Sequence, residues 1–181
     1  MSDLAIVLVS GGMDSVVTAA MAGEKHEQLA FLHLDYGQNT RVKERECFEK
    51  ISDFYKIPPE LRKVVDMKFL RQIGGSSLTD DNIVVKEFAG DSSEIPSSYV
   101  PFRNTHIVAT AVSWAEILGA HKIYIGANVE DSPGYPDCRP EYYEAYNNLI
   151  QKGTKEGNIE IITPVIYMKK TEIINKAHEL S

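Results

Sequence analysis

Leu4-Ala5-Ile6-Val7-Leu8-Val9 runs without a polar break into Ser10-Gly11-Gly12-Met13-Asp14-Ser15, and the reading of this stretch decides the fold. Six continuous apolar residues suit a strand covered on both faces, as in a parallel sheet, rather than one with an alternating wet face. Behind the turn, Val16, Val17, Ala20 and Met21 recur at helical spacing, so the chain passes from a buried strand through a glycine pair into a helix. In a parallel sheet such a crossing is where ligands gather. Two glycines let backbone N–H groups approach an anion, and the helix start adds free donors and a favourable dipole. The hydroxyls of Ser10 and Ser15 add further donors. Asp14 would repel a bare phosphate and makes better sense beside a magnesium ion carried by phosphates. The sequence has no Gly-Lys pair for a Walker loop and no Gly-x-Gly for a dinucleotide fingerprint, so neither common phosphate motif applies.

Outward from this stretch, β-rich segments alternate with helix-period ones. Strands are expected at Leu4 to Val9, Leu29 to Leu34, Arg62 to Val65, His121 to Ile125 and Ile159 to Ile162. Cys47, Phe48, Ile51, Phe54 and Tyr55 mark a second helix. Ile107, Val108, Ala111, Val112, Ala115, Ile117 and Leu118 mark a third, ending at Gly119. That order predicts an α/β, doubly wound parallel sheet in one domain. Ile73 to Pro101, rich in Gly, Ser and Pro, reads as a long flap or a disordered segment. Lys152 to Asn158 reads as an exposed turn, and Thr171 to Leu180 as a helix start.

With 181 residues, 43 % hydrophobic and 25 % charged, the composition is that of one compact domain rather than a disordered chain. A net charge of -7 and a pI near 5.2 argue against nucleic acid as the main partner and favour a small polar ligand. No apolar run approaches the length of a membrane span and the amino terminus lacks a basic secretory region, which predicts a cytoplasmic protein. Two cysteines, Cys47 and Cys138, make neither a disulfide framework nor a CxxC metal site.

SGGMDS after a first strand resembles the PP-loop ATP pyrophosphatases, which cut ATP between its α and β phosphates. Three further strings sharpen the resemblance: Asp35-Tyr36-Gly37-Gln38, Val100-Pro101-Phe102-Arg103-Asn104, and Gly126-Ala127-Asn128 through Gly134-Tyr135-Pro136-Asp137-Cys138-Arg139-Pro140. Together the four strings are similar, from residue 4 onward, to the 7-cyano-7-deazaguanine synthase family of queuosine precursor biosynthesis. The resemblance implies a five-stranded, adenine-nucleotide α-hydrolase-like sheet. It also implies conversion of 7-carboxy-7-deazaguanine, ammonia and two ATP into the nitrile, with AMP and pyrophosphate released. ATP would be bound by Leu8, Val9, Ser10, Gly11, Gly12, Met13, Asp14, Ser15, Val16, Val17 and Thr18, with Asp14 also serving Mg2+ through the phosphates. Arg103 and Asp14 would be catalytic, and Tyr135, Asp137 and Arg139 would bind the acid. The partners implied are the 7-deazaguanine acid, ammonia and a second copy of the chain in a homodimer, with no nucleic acid and no membrane. Another adenylating PP-loop ligase and a nucleotide-binding module without turnover are the alternative readings.

The family pattern continues into a four-cysteine zinc cluster beyond the last helix, and this sequence stops before it. Cys47 and Cys138 do not replace that cluster, so no zinc ligands are expected here, and the helix from Thr171 is expected to fray unless a second subunit covers it.

Residue chemistry is consistent with these roles. A carboxylate at Asp137 suits the N–H edge of a guanine-like base, and a guanidinium at Arg139 suits an acid group; an ion pair within the loop is the other reading. Arg103 suits charge on the α-phosphate, the other reading being a surface arginine with Asn104 as helix cap. His33 and His106 read as packed rings. Cys138 reads as a structural or substrate-shaping thiol. Tyr142, Tyr143 and Tyr146 read as packing on a helix, with stacking on a base as the alternative.

Overall fold

The computed structural model describes residues 3–79, 95–130 and 135–180. Five strands form one sheet in the order β3-β2-β1-β4-β5, and every neighbouring pair is parallel. β1 is Leu4–Leu8, β2 Gln28–Asp35, β3 Arg62–Asp66, β4 Lys122–Ile125 and β5 Glu160–Ile162. Each falls within two residues of its predicted range, because a continuous apolar run between glycine- or proline-bearing turns is a local signal. β1 occupies the centre and is buried along its whole length, with Ala5, Ile6 and Val7 fully inaccessible.

Helices α1 (Met13–Gly23), α2 (Arg41–Phe54), α4 (Arg103–Leu118) and α5 (Pro140–Gly153) join these strands, with a short α3 at Phe69–Ile73, and α6 (Lys170–Glu179) follows β5. Right-handed crossovers put α1 and α2, which lead toward β3, on one face and α4 and α5, which lead toward β5, on the other. The strand order therefore reverses beside β1, and the loops after β1 and β4 diverge there to leave a crevice at the carboxyl ends of the strands. The position of the candidate site follows from this reversal.

Three expectations are refined. α3 was not foreseen, since five residues carry too little periodicity to read. The stretch from Ile73 to Pro101 is packed at both ends: Ser76, Ser77 and Thr79 are buried, the Ser77 N–H donates to the Ser97 carbonyl at 2.9 Å, and the Ser76 hydroxyl donates to the Ser98 carbonyl at 3.0 Å. Residues 80–94, its middle, lie outside the described part. The helix near Thr171 is formed and anchored rather than frayed. Ile173 is fully buried with Val17 and Val165, and the Glu172 carboxylate accepts the Lys169 N–H at 2.7 Å across the first turn.

Candidate active site

The loop after β1 is tightly self-bonded. Ser15 Oγ donates to the Gly12 carbonyl at 2.8 Å, the Gly12 N–H donates to Ser10 Oγ at 3.3 Å, and the two serine hydroxyls stand 3.3 Å apart. Gly11 adopts φ +88°, and a Cβ there would lie 2.6 Å from Cys47 Cβ on α2. Gly126, just after β4, is crowded by backbone: a Cβ would lie 2.8 Å from the carbonyl of Asp14 and 2.9 Å from the Ser15 nitrogen. Glycine at both places lets the start of α1 settle between α2 and the end of β4.

His33 supports the same corner from below. Its Nδ1 lies 2.9 Å from the Val9 carbonyl, which can only accept, so the ring carries its proton there. The imidazole is buried and tilted against Phe48. It acts as the packed, hydrogen-bonded ring foreseen.

A cleft of about 350 Å³ opens over this loop. Its lining includes Leu8, Val9, Ser10, Asp14 and Ser15 from the β1–α1 turn, Tyr36 and Glu44 from the β2 side, Arg103 and Asn104 from α4, and Cys138 and Tyr143 beyond β4. Among the other expected loop residues, Met13 is 40 % exposed, Val17 faces Val165 and Ile173, and Thr18 is fully buried; none of the three lines the cleft. Gly11, Gly12 and Val16 belong to the turn and first helical turn without lining it.

Arg103 begins α4 and reaches across the cleft. Its Nη1 donates to the Tyr36 hydroxyl at 3.1 Å, and its guanidinium lies 5.2 Å from the centre of that ring. Burial alone disfavours the charge, but Tyr36, Cys138 and Asp137 together outweigh it and leave the guanidinium pKa above its ordinary value. Burial pushes the Tyr36 hydroxyl up as well. The cleft thus presents a fixed cation and a neutral phenol side by side.

Asp137 has structural work. Its Oδ2 accepts the Asn104 N–H at 3.0 Å, at the start of α4. Asn104 Nδ2 returns two bonds, to the Asp137 carbonyl at 2.9 Å and to Cys138 Sγ at 3.2 Å. Asn104 is therefore the second residue of α4, tied by Asp137, rather than its cap. Arg139 is exposed, and neither it nor Tyr135 lines the cleft. The Tyr135 hydroxyl instead meets Ser98 Oγ at 2.5 Å, and its ring tilts against Tyr99.

One partner was missed. Lys170, the first residue of α6, places Nζ 2.9 and 3.0 Å from the two oxygens of Asp14. A separation of 156 positions leaves no local trace in the sequence. Among the described residues no three His, Cys, Asp or Glu side chains gather into a metal-holding group. No described helix is long and apolar enough to cross a membrane.

A parallel sheet whose switch point carries a glycine loop, a helix amino terminus and an arginine defines a nucleotide-binding enzyme of the PP-loop type. The sequence pattern of the family described as queuosine biosynthesis protein QueC matches residues 4–181, and the chain belongs to that family. The 7-cyano-7-deazaguanine synthase of Koribacter versatilis is 51 % identical over 97 % of this chain and 75 % of its own length. The same-named protein of Chlorobaculum parvum is 52 % identical over 97 % of this chain and 77 % of its own. Two solved structures share the fold at low identity. The U34-tRNA thiolase NcsA from Methanococcus maripaludis, with a [4Fe-4S] cluster, has a TM-score of 0.58 and 18 % identity, over 99 % of this chain and 56 % of that one. A 4-thiouridine synthetase–RNA complex with bound ATP has a TM-score of 0.58 and 20 % identity, over 99 % of this chain and 41 % of that one.

Proposed function

We infer that the protein is an ATP-dependent, nitrile-forming ligase that converts 7-carboxy-7-deazaguanine and ammonia into 7-cyano-7-deazaguanine, releasing AMP and pyrophosphate. The observation that carries this reading is family membership over residues 4–181, with relatives of that name at about half identity. The chemistry of the cleft is consistent with it. A carboxylate becomes a nitrile only if both oxygens leave, and each leaves readily as part of AMP. Two adenylations are therefore needed, one on the acid and one on the intermediate amide.

In this reading the Ser10–Ser15 loop and the amino terminus of α1 hold the phosphates, through backbone N–H groups and the two hydroxyls. Magnesium carried by the phosphates would meet the Asp14 carboxylate, a hard oxygen donor. Lys170 balances the Asp14 charge. Arg103 stabilises negative charge on the α-phosphate as pyrophosphate departs, acting from a position fixed by Tyr36. Tyr135, Asp137 and Arg139 are assigned to the acid, with Asp137 also holding α4 in place, so that acid recognition and the start of the Arg103 helix share one carboxylate. The reaction draws on ATP, and we assign it to the cytoplasm, with a homodimer as the working assembly.

Feeding the acid labelled with ¹⁸O in both carboxylate oxygens tests this reading. The label is expected in AMP, one oxygen per molecule, alongside a product with the mass of the nitrile. ADP as the main nucleotide product, or label retained in the organic product, refutes it.

A further inference from the structure

We propose that the Glu44 carboxylate is the subsite for the nitrogen donor, binding ammonium in the cleft beside the activated acid. This rests on the nitrile-forming reading above. Glu44 lines the same cleft as Ser10, Asp14 and Arg103. Its two oxygens are aimed by neutral donors only: Gln38 Nε2 at 2.7 Å and Thr40 Oγ1 at 2.5 Å. Gln38 is buried, and its own Oε1 accepts the Tyr36 N–H at 3.0 Å, so the carboxylate is held by an amide with no freedom to turn.

Among the described residues no lysine or arginine pairs with Glu44. Other ionic side chains nearby are paired: Asp14 with Lys170, and Lys43 and Arg45 of the same helix with Glu46 and Glu49. A carboxylate without a counter-charge is out of place in a cleft that receives a triphosphate and an organic acid, since it repels both and loses hydration. Each oxygen retains a lone pair beyond its present bond. A small cation with directional N–H donors satisfies charge and geometry together. Magnesium has a closer carboxylate at the loop, Asp14, and prefers an octahedron completed by phosphates and water.

Arg103 and Glu44 both line this cleft, together with Tyr36. Arg103 donates to the Tyr36 hydroxyl at 3.1 Å, so a fixed cation and the Glu44 carboxylate stand in one cleft without pairing with each other. Ammonium passes one proton to Glu44 as its nitrogen bonds to the acyl carbon. The second proton goes to water as the carbon–oxygen bond to AMP breaks and AMP leaves with the electron pair.

The test measures AMP release by the full chain, titrating ammonium at saturating acid and ATP, and titrating ATP at saturating ammonium. In Glu44→Gln the KM for ammonium is expected to rise about ten-fold or more, the effect of losing one charge-assisted contact, while the KM for ATP stays within about two-fold. Glu44→Asp, which keeps the charge and sets it back, is expected to rise less and decides the matter if Glu44→Gln does not fold by circular dichroism. An unchanged ammonium KM, an equal rise in the ATP KM, or a shifted magnesium requirement instead overturns the proposal. An unsubstituted chain that makes no nitrile refutes the underlying reading instead, before any variant is compared.

Discussion

Gly11 and Gly126 hold the β1–α1 loop by different means. At Gly11 the strain is conformational as well as steric: φ +88° costs an L side chain ~1–2 kcal/mol, and the added Cβ meets Cys47 on α2. The side chain would thus press on a helix. At Gly126 the obstacle is the Asp14 backbone itself, which has no rotamer to yield. Gly11→Ala is accordingly expected to lower stability by ~1–3 kcal/mol in urea unfolding, with ATP affinity largely kept. Gly126→Ala is expected to displace the start of α1 and to weaken ATP binding about ten-fold or more by calorimetry, a shift of ~1.4 kcal/mol. Equal ATP affinities in the two variants would contradict this division. The sequence exposes Gly11 because it sits inside a motif. The reason for Gly126 stays hidden, because its contact is made across the sheet.

α6 shows what local reading misses at the level of elements. Its apolar spacing was visible, but its anchoring was not, since Ile173 packs on Val17 and Val165 from distant parts of the chain. Truncating a fully buried isoleucine typically costs ~2–5 kcal/mol. Ile173→Ala should therefore fall in that range by denaturant unfolding, and should loosen Lys170 from Asp14 and so weaken ATP binding. A loss below ~0.5 kcal/mol would mean the helix contributes little to the fold. α4 makes the same point from its other end. Arg103, Asn104 and the Pro136–Cys138 turn were each legible as strings, while the bonds that join Asn104 to Asp137 and Cys138 depend on the crossover that brings them together.

Across the molecule, the doubly wound parallel sheet and its strand limits were legible because such a fold repeats one local pattern, whereas the strand order emerged only from the pairing. The charge pairs of the cleft were not, because they join elements the chain visits far apart. Burial leaves a second molecule-wide signature in the tyrosines. Burial is the first cause raising the pKa of Tyr36, Tyr55, Tyr124, Tyr142, Tyr143 and Tyr146. A group with a raised folded pKa gives stability that is whole below the unfolded value of 10.0 and is lost as pH climbs toward the folded value. The protein should therefore lose stability steeply above that pH. Phenolate absorbance should show these six of the nine tyrosines titrating late, in step with unfolding. Simple titration of all nine near the unfolded value, with the fold intact, would contradict it. The Asp14–Lys170 pair carries one more consequence. The ribosome makes the β1–α1 loop early, and the counter-charge of Asp14 emerges only 156 residues later. A nascent chain stalled before Lys170 carries the complete loop sequence without that charge, and is expected to hold ATP more weakly than one in which α6 has been made, so full nucleotide binding waits for α6.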